Sequence, residues 1–229
     1  MALHLHLMLW IVNSLSPQEI TDRIMDPTSD FQQKMVEYLE GVHQAEFMDS
    51  TMTEVQEHIQ KQQESDHYQD PTLTLPDPPP SVHKHDCKDS STCDICSANQ
   101  SWWAQFKETV NDIVYKSHRH QCSTAPGGCK VDKKTGKLLK VCKRRFPRPV
   151  RPFTVMDPDS GALLMKQGEA RLNSYSPTLT YLLRCNSDVT SLLSGTAIKA
   201  ITAYVTDYIT KTPLKTHAMF TAVKTVFSR

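Results

Sequence analysis

The chain opens on a strict alternation. Leu3, Leu5 and Leu7 take one side and His4 and His6 the other, and the fully apolar run Leu7-Met8-Leu9-Trp10-Ile11-Val12 follows. Successive side chains of a strand point to opposite faces, so the pattern predicts a buried strand over residues 2–12. Ser16-Pro17-Gln18-Glu19 combines a capping box with proline at the first helical position and predicts a short helix over 17–25. A second helix is expected from Asp30 to about Phe47, with Phe31, Met35, Val36 and Leu39 on one face, and a third from Thr53 to Gln63. Helical periodicity returns from Trp102 to Lys116 through Trp103, Phe106, Val110, Ile113 and Val114.

Further along, Thr154–Met156 and Ala162–Met165 are expected to pair around the turn Pro158-Asp159-Ser160-Gly161. Ser176-Pro177 starts a helix through Leu183, and Asp188–Leu193 reads as a strand. Thr196–Thr210 reads as a helix ended by Pro213, and Lys215–Phe227 as a last amphipathic helix. Residues 64–82, ESDHYQDPTLTLPDPPPSV, are polar and proline-rich and read as a flexible linker. No internal repeat is evident.

Composition limits the core. In 229 residues and 26.0 kDa, hydrophobic side chains are 38%, with 14 prolines against 7 glycines. One medium domain or two small ones with a modest core are expected. The stretch MALHLHLMLWIV lacks a basic start and a small-residue cleavage site, so no secretory signal is expected, and it is too short and histidine-rich for a membrane span. No G-x-x-x-x-G-K-[ST] phosphate loop is present, which excludes a helicase motor in this chain alone.

The net charge of +1 conceals segregation. Nine acidic residues and one basic residue lie between Glu37 and Asp70, whereas ten Lys or Arg and one acidic residue lie between Lys130 and Arg151. Such a basic stripe suits a phosphate backbone, with Lys140, Lys143, Arg144, Arg145, Arg148 and Arg151 as candidate DNA contacts. It equally suits a solvated loop.

Six of the seven cysteines fall between Cys87 and Cys142. Clustered cysteines without a secretory signal point to metal ligation in a reducing compartment, nuclear or cytoplasmic, rather than to disulfides. His120, Cys122, Cys129 and Cys142 form the first choice of zinc ligands, and Cys87, Cys93 and Cys96 add C-x5-C-x2-C upstream. Spacing leaves open which four share an ion. Cys185 lies apart and is expected to be a buried core thiol.

Two smaller patterns carry possible catalysis. His4 and His6, two apart on a strand, can present both imidazoles to one divalent ion, or can simply be strand histidines. Tyr204 and Tyr208, four apart, share a helical face that Lys211 continues. Core packing accounts for two such aromatics as well. A phenol has a pKa near about 10 and needs a metal-bound phosphate placed in line before it attacks.

Several blocks taken together resemble the Helitron type of rolling-circle transposase, in its fungal helicase-like branch. CKRRFPRP (142–149) is similar to that family's C-x-K-x-F-P-K/R segment. Asn173 with Tyr175 and Pro177, then RCNSDVTSLLSG (184–195), resemble its asparagine-proline, leucine-rich and cysteine-asparagine segment. IKAITAYVTDYITK (198–211) looks like its tyrosine-pair helix ending in lysine, and an insertion near SLSPQEI (14–20) also has a counterpart. The order and separations of the blocks agree, over nearly the whole chain.

The resemblance implies an α+β fold, an incomplete antiparallel sheet of the His-hydrophobe-His nickase type with a helical insertion and a zinc-binding segment. In that frame residues 1–14 are the metal-binding strand, 15–63 a helical insertion and 64–82 the linker, and 15–82 together are expected to loop out from the core. Residues 83–150 are the zinc and basic segment, and 151–229 the rest of the nickase core. His4 and His6 take the magnesium or manganese role, Tyr204 and Tyr208 the nucleophile role and Lys211 an assisting one. Single-stranded DNA is the implied substrate. The family has strands and a third metal ligand before its histidine motif and a helicase after its tyrosines, so a fragment of a longer parent is expected. A zinc-stabilised nucleic-acid-binding remnant without catalysis is the alternative.

Overall fold

The computed structural model describes residues 6–81, 93–122, 142 and 144–210, apart from the side chains of residues 208 and 209. Its described part is mostly helical, with one small antiparallel sheet. The helices are α1 (Pro17–Ile24), α2 (Phe31–Val42), α3 (Met52–Gln63), α4 (Asp94–Ile113), α5 (Pro177–Leu183) and α6 (Gly195–Thr210). The strands are β1 (Val155–Met156) and β2 (Leu163–Leu164). No described helix is long and apolar enough to cross a membrane. The expected helix at 215–227 lies outside the described residues. Two compact units divide the chain, one from residues 1–32 with 192–229 and one from residues 33–191.

The larger unit is organised by α4. Its apolar positions Phe106 and Val110, with Val114 just beyond its end, meet Val55 and Ile59 of α3, Tyr181 of α5, and Phe47, Leu172 and Tyr175 from connecting segments. The helix continues into a π-helical turn at Val114–His118. A single buried polar side chain fixes the chain that crosses α4: Asn111 accepts the Met48 N–H at 2.8 Å and donates to the Met48 carbonyl at 3.0 Å. The crossing segment then pairs with 169–175. Gln44 and Tyr175 exchange backbone bonds, Glu169 N–H donates to the Ala45 carbonyl, and the buried Tyr175 hydroxyl donates to the Glu46 carbonyl at 2.8 Å. Gly168 is required there, because a Cβ at that position would stand 2.5 Å from Cβ of Glu46. Burial and the nearby Glu46 carboxylate push the Tyr175 phenol well above its ordinary pKa.

The hairpin forms where the turn signal lies. Val155 pairs with Leu164 and Met156 with Leu163, and Arg151 pairs with Gln167 further down. At the turn, Asp157 accepts the amides of Asp159 and Ser160, and Gly161 adopts φ 67°.

Several expectations are corrected. Residues 6–12 form no strand, and the apolar run is exposed, with Trp10 at 78% and Val12 at 86%. A strand needs a neighbour for its amides and carbonyls, and among the described residues the only sheet is β1–β2. Residues 188–193 likewise form no strand. The second helix stops at Val42, because 43–47 is drawn into pairing with the 169–175 segment.

Residues 64–81 are not a free linker. Asp70-Pro71 starts a short 3-10 turn at Pro71–Leu73, and Pro71 is buried. Tyr68 hydrogen-bonds Asp112 at 2.7 Å, while Trp102 and the Tyr181 hydroxyl both donate to the Asp77 carbonyl. Lys116 binds Tyr68, Asp70 and Asp112 together. Proline-rich sequence here supplies a pre-extended strap with low ordering cost. The 15–63 region therefore does not loop out as a whole: α3 and the 43–49 crossing are part of the core. Cys185 is exposed, since Arg184 ends α5 in the left-handed conformation and turns the chain outward.

In the smaller unit, Ser16 caps α1 through a reciprocal bond with Glu19. Ser194 caps the start of α6 by accepting the Ala197 amide at 3.1 Å.

Candidate metal centre

His120, Cys122 and Cys142 come together although 19 residues separate the two cysteines. Cys142 Sγ lies 3.2 Å and Cys122 Sγ 3.5 Å from Nε2 of His120. All three ligand atoms fall within 4.8 Å of one another. A tetrahedral zinc ion, at about 2.3 Å from sulfur and about 2.0 Å from nitrogen, sets donor–donor edges of about 3.5 Å. Two soft sulfurs and one imidazole at these separations can hold a metal ion such as zinc.

Backbone bonds build the centre. The His120 amide donates to the Arg171 carbonyl at 2.8 Å, beside the Arg119–Leu172 bridge. The Arg148 amide donates to the Ala170 carbonyl at 2.7 Å. One short segment, 170–172, thus holds the two ligand-bearing segments side by side. Cys142 is placed by a turn in which its carbonyl accepts the Arg145 amide, with Arg145 at φ 62°. Phe146 stacks on the imidazole of His120 at 4.4 Å and 14°, and is itself buried against Cys142. That stack orients Nε2 toward the sulfurs. Burial, then the charges of Arg144 and Arg171, hold the imidazole below its usual pKa. All three influences favour the neutral ligand form.

The remaining expected zinc ligands stand differently. Cys129 and Cys87 lie outside the described residues. Cys93 and Cys96 are at the start of α4, and among the described residues the three-donor group does not include them. His118, two residues before His120, is a buried side chain of another kind. Its Nε2 accepts the Ser187 amide at 3.0 Å, and burial pushes it down to about 4, so it fastens the 185–188 turn as a neutral ring.

Of the basic candidates, Lys140 and Lys143 lie outside the described residues. Arg144, Arg145 and Arg148 are exposed. Arg151 is spent on structure: it pairs with Gln167, and its Nε donates to the Met165 carbonyl at 2.9 Å. Phe146 and Arg171 are the residues sequence reasoning missed. Phe146 belongs to the CKRRFPRP block, but no local signal marks its partner; Arg171 carries no signal at all.

The second constellation lies in the smaller unit. The His6 ring meets Tyr204 edge-on, with centroids 5.9 Å apart and planes at 74°. Tyr204 is half exposed on α6, and Tyr208 follows one turn later on the same helix. His4 and Lys211 lie outside the described residues. No protein-family model, curated protein or solved structure matches this chain.

Proposed function

We propose that the chain is part of a single-stranded DNA nicking and joining protein that works through a tyrosine–phosphate intermediate, as its resemblance to Helitron initiators implies. The observation that carries this reading is the His6–Tyr204 ring contact at 5.9 Å across nearly the whole sequence. It supports the reading because the chemistry needs a histidine of the first pair beside a tyrosine of the second. The half-exposed Tyr204 also weighs against the core-packing alternative, in which the ring would be buried.

In this reading His4 and His6 hold magnesium or manganese, which polarises the scissile phosphate when bound. The hydroxyl oxygen of Tyr204 or Tyr208 bonds to phosphorus and gives up its proton. The P–O3′ bond breaks, and the departing oxygen takes a proton to become a 3′ hydroxyl. The other tyrosine permits a second transfer without hydrolysis, and Lys211 supplies positive charge to the phosphate. The His120/Cys122/Cys142 centre has a structural and DNA-presenting role, with zinc as its ion.

Incubation with 5′-labelled and 3′-labelled single-stranded DNA and manganese tests the reading. A covalent protein–DNA adduct that resists denaturant is expected. It should vanish in the Tyr204→Phe, Tyr208→Phe double variant. An adduct that survives that variant would place the nucleophile elsewhere.

A second reading, a zinc-stabilised nucleic-acid-binding protein without catalysis, is favoured by one observation. Residues 7–12 are largely exposed and form no strand, and a metal-binding histidine pair works best on a rigid element. Salt-dependent DNA binding without an adduct would select it.

A further inference from the structure

Five arginines surround the metal centre from three separate chain segments. Arg119 flanks His120, Arg144, Arg145 and Arg148 follow Cys142, and Arg171 lies on the segment that clasps both. Backbone bonds fix this arrangement: His120 to Arg171, Arg145 to Cys142, and Arg148 to Ala170. Arg148 also lies over the Phe146 ring at 4.9 Å, on the residue that stacks against His120.

Some of these charges are already engaged. Arg119 stacks on Tyr115 at 4.2 Å, and Arg148 donates to Asn173 at 2.7 Å, next to Asp188. Arg144, Arg145 and Arg171 are exposed and make no ion pair among the described residues. Arg144 and Arg171 lie on different segments, yet both border His120: the His120 amide donates to the Arg171 carbonyl at 2.8 Å, and Arg144 stands in the turn after Cys142, whose Sγ lies 3.2 Å from Nε2 of His120. Exposed like charges gathered by the backbone, with no ion pair among the described residues, repel. An anion spanning them removes that cost. A fork of N–H donors on each makes phosphate oxygens the matching acceptor.

We propose that Arg144 and Arg171 form a two-pronged clamp for consecutive phosphates of single-stranded DNA, with the His120/Cys122/Cys142 centre as the staple that keeps the prongs in register. The proposal deepens the DNA-processing reading and rests on it for the identity of the polyanion. It adds Arg171, which lies outside the basic run of 130–151, and excludes Arg151, whose guanidinium is occupied by the Met165 carbonyl. Opening the centre removes the link between Cys142 and His120 and leaves Arg144 held only through the Arg148–Ala170 bond and the Phe146 stack. Binding of DNA therefore depends on the bound ion as well as on the arginines.

The test is fluorescence anisotropy of a labelled oligodeoxythymidine with the zinc-loaded full chain, across a salt series. In the Arg144→Gln, Arg171→Gln double variant the slope of log affinity against log salt should fall by about 1.4, from two single-strand phosphate contacts of about 0.7 each. Arg144→Lys with Arg171→Lys keeps both charges and should restore most of that slope, which separates charge from folding. Lys61→Gln, on α3, should leave the slope unchanged. Chelation of the ion should lower the slope of the parent toward that of the glutamine variant.

Equal slopes in parent and glutamine variant overturn the clamp, as does a parent that fails to bind. A lysine variant as weak as the glutamine one assigns the loss to folding and also overturns it. The adduct assay reads the parent proposal independently. A lowered slope without any tyrosine adduct retains the clamp and removes the nicking function, whereas an adduct with unchanged slope does the reverse.

Discussion

Sγ of Cys142 lies 3.2 Å from Nε2 of His120, and the ring of that histidine is stacked on Phe146 from the same segment as the cysteine. An ion held by this donor group and the aromatic packing would fasten the same two pieces of chain. Removing either partner loosens the other.

Purified protein should carry zinc. Cys142→Ser should weaken zinc binding at least about tenfold, because it removes one of the sulfur ligands. Phe146→Ala keeps every ligand but frees the imidazole, and a loss of about ten- to a hundredfold is expected, as for other residues that orient ligands. Competition with a chromophoric chelator measures both. Wild-type affinity in the phenylalanine variant would show that the stack does not orient the ligand.

Asn111 replaces two backbone partners at once. Asn111→Ala leaves the amide and carbonyl of Met48 without them. Each buried group so exposed to loss costs about 1–3 kcal/mol. A urea melt should show a destabilisation of at least about 2 kcal/mol. A change below about 0.5 kcal/mol would mean that water replaces the side chain freely.

His43 is buried and bonded to Ser191 at 3.1 Å, and burial holds its pKa below 6.5. The unfolded chain therefore binds a proton near pH 6.5 that the folded chain does not. Stability from this residue is present above that pH and is lost as pH falls through it toward the depressed folded value. Thermal melts between pH 7.5 and 5 should decline, and His43→Gln should flatten the decline. Identical pH profiles would remove His43 as a contributor.

The two tyrosines should contribute unequally. Tyr204 meets His6 edge-on, and on that contact Tyr204→Phe should reduce the yield of the DNA adduct more than Tyr208→Phe does. Gel quantification of adduct under manganese measures the ratio. A larger loss in Tyr208→Phe would assign the first attack to Tyr208.

Much of the local structure was legible in the sequence. The capping box at Ser16 and Glu19, the proline at position 177 and the Asp159-Ser160-Gly161 turn act within a few residues, so their outcome follows from local backbone chemistry. The periodic face of Phe106, Val110, Ile113 and Val114 likewise had only one buried side to present. His120, Cys122 and Cys142 were readable as candidate metal ligands by residue type, since imidazole and thiol suit zinc wherever they meet.

Where they meet was a matter of tertiary structure. The same chain signals strand at 6–12, yet no described strand lies beside it, and hydrogen-bonding partners belong to the neighbour rather than to the sequence itself. Proline-rich residues 64–81 read as linker because nothing local shows that Asp112, Trp102 and Tyr181 will hold them. The Arg171 carbonyl holds His120 across 51 residues, and no spacing rule reaches that far. The amino-acid sequence by itself determined which short segments could be helical, which side chains could take a metal and where charge accumulates. Only the tertiary structure decided which of those segments share a neighbour, because long-range pairing is set by the fit of surfaces that the linear order does not display.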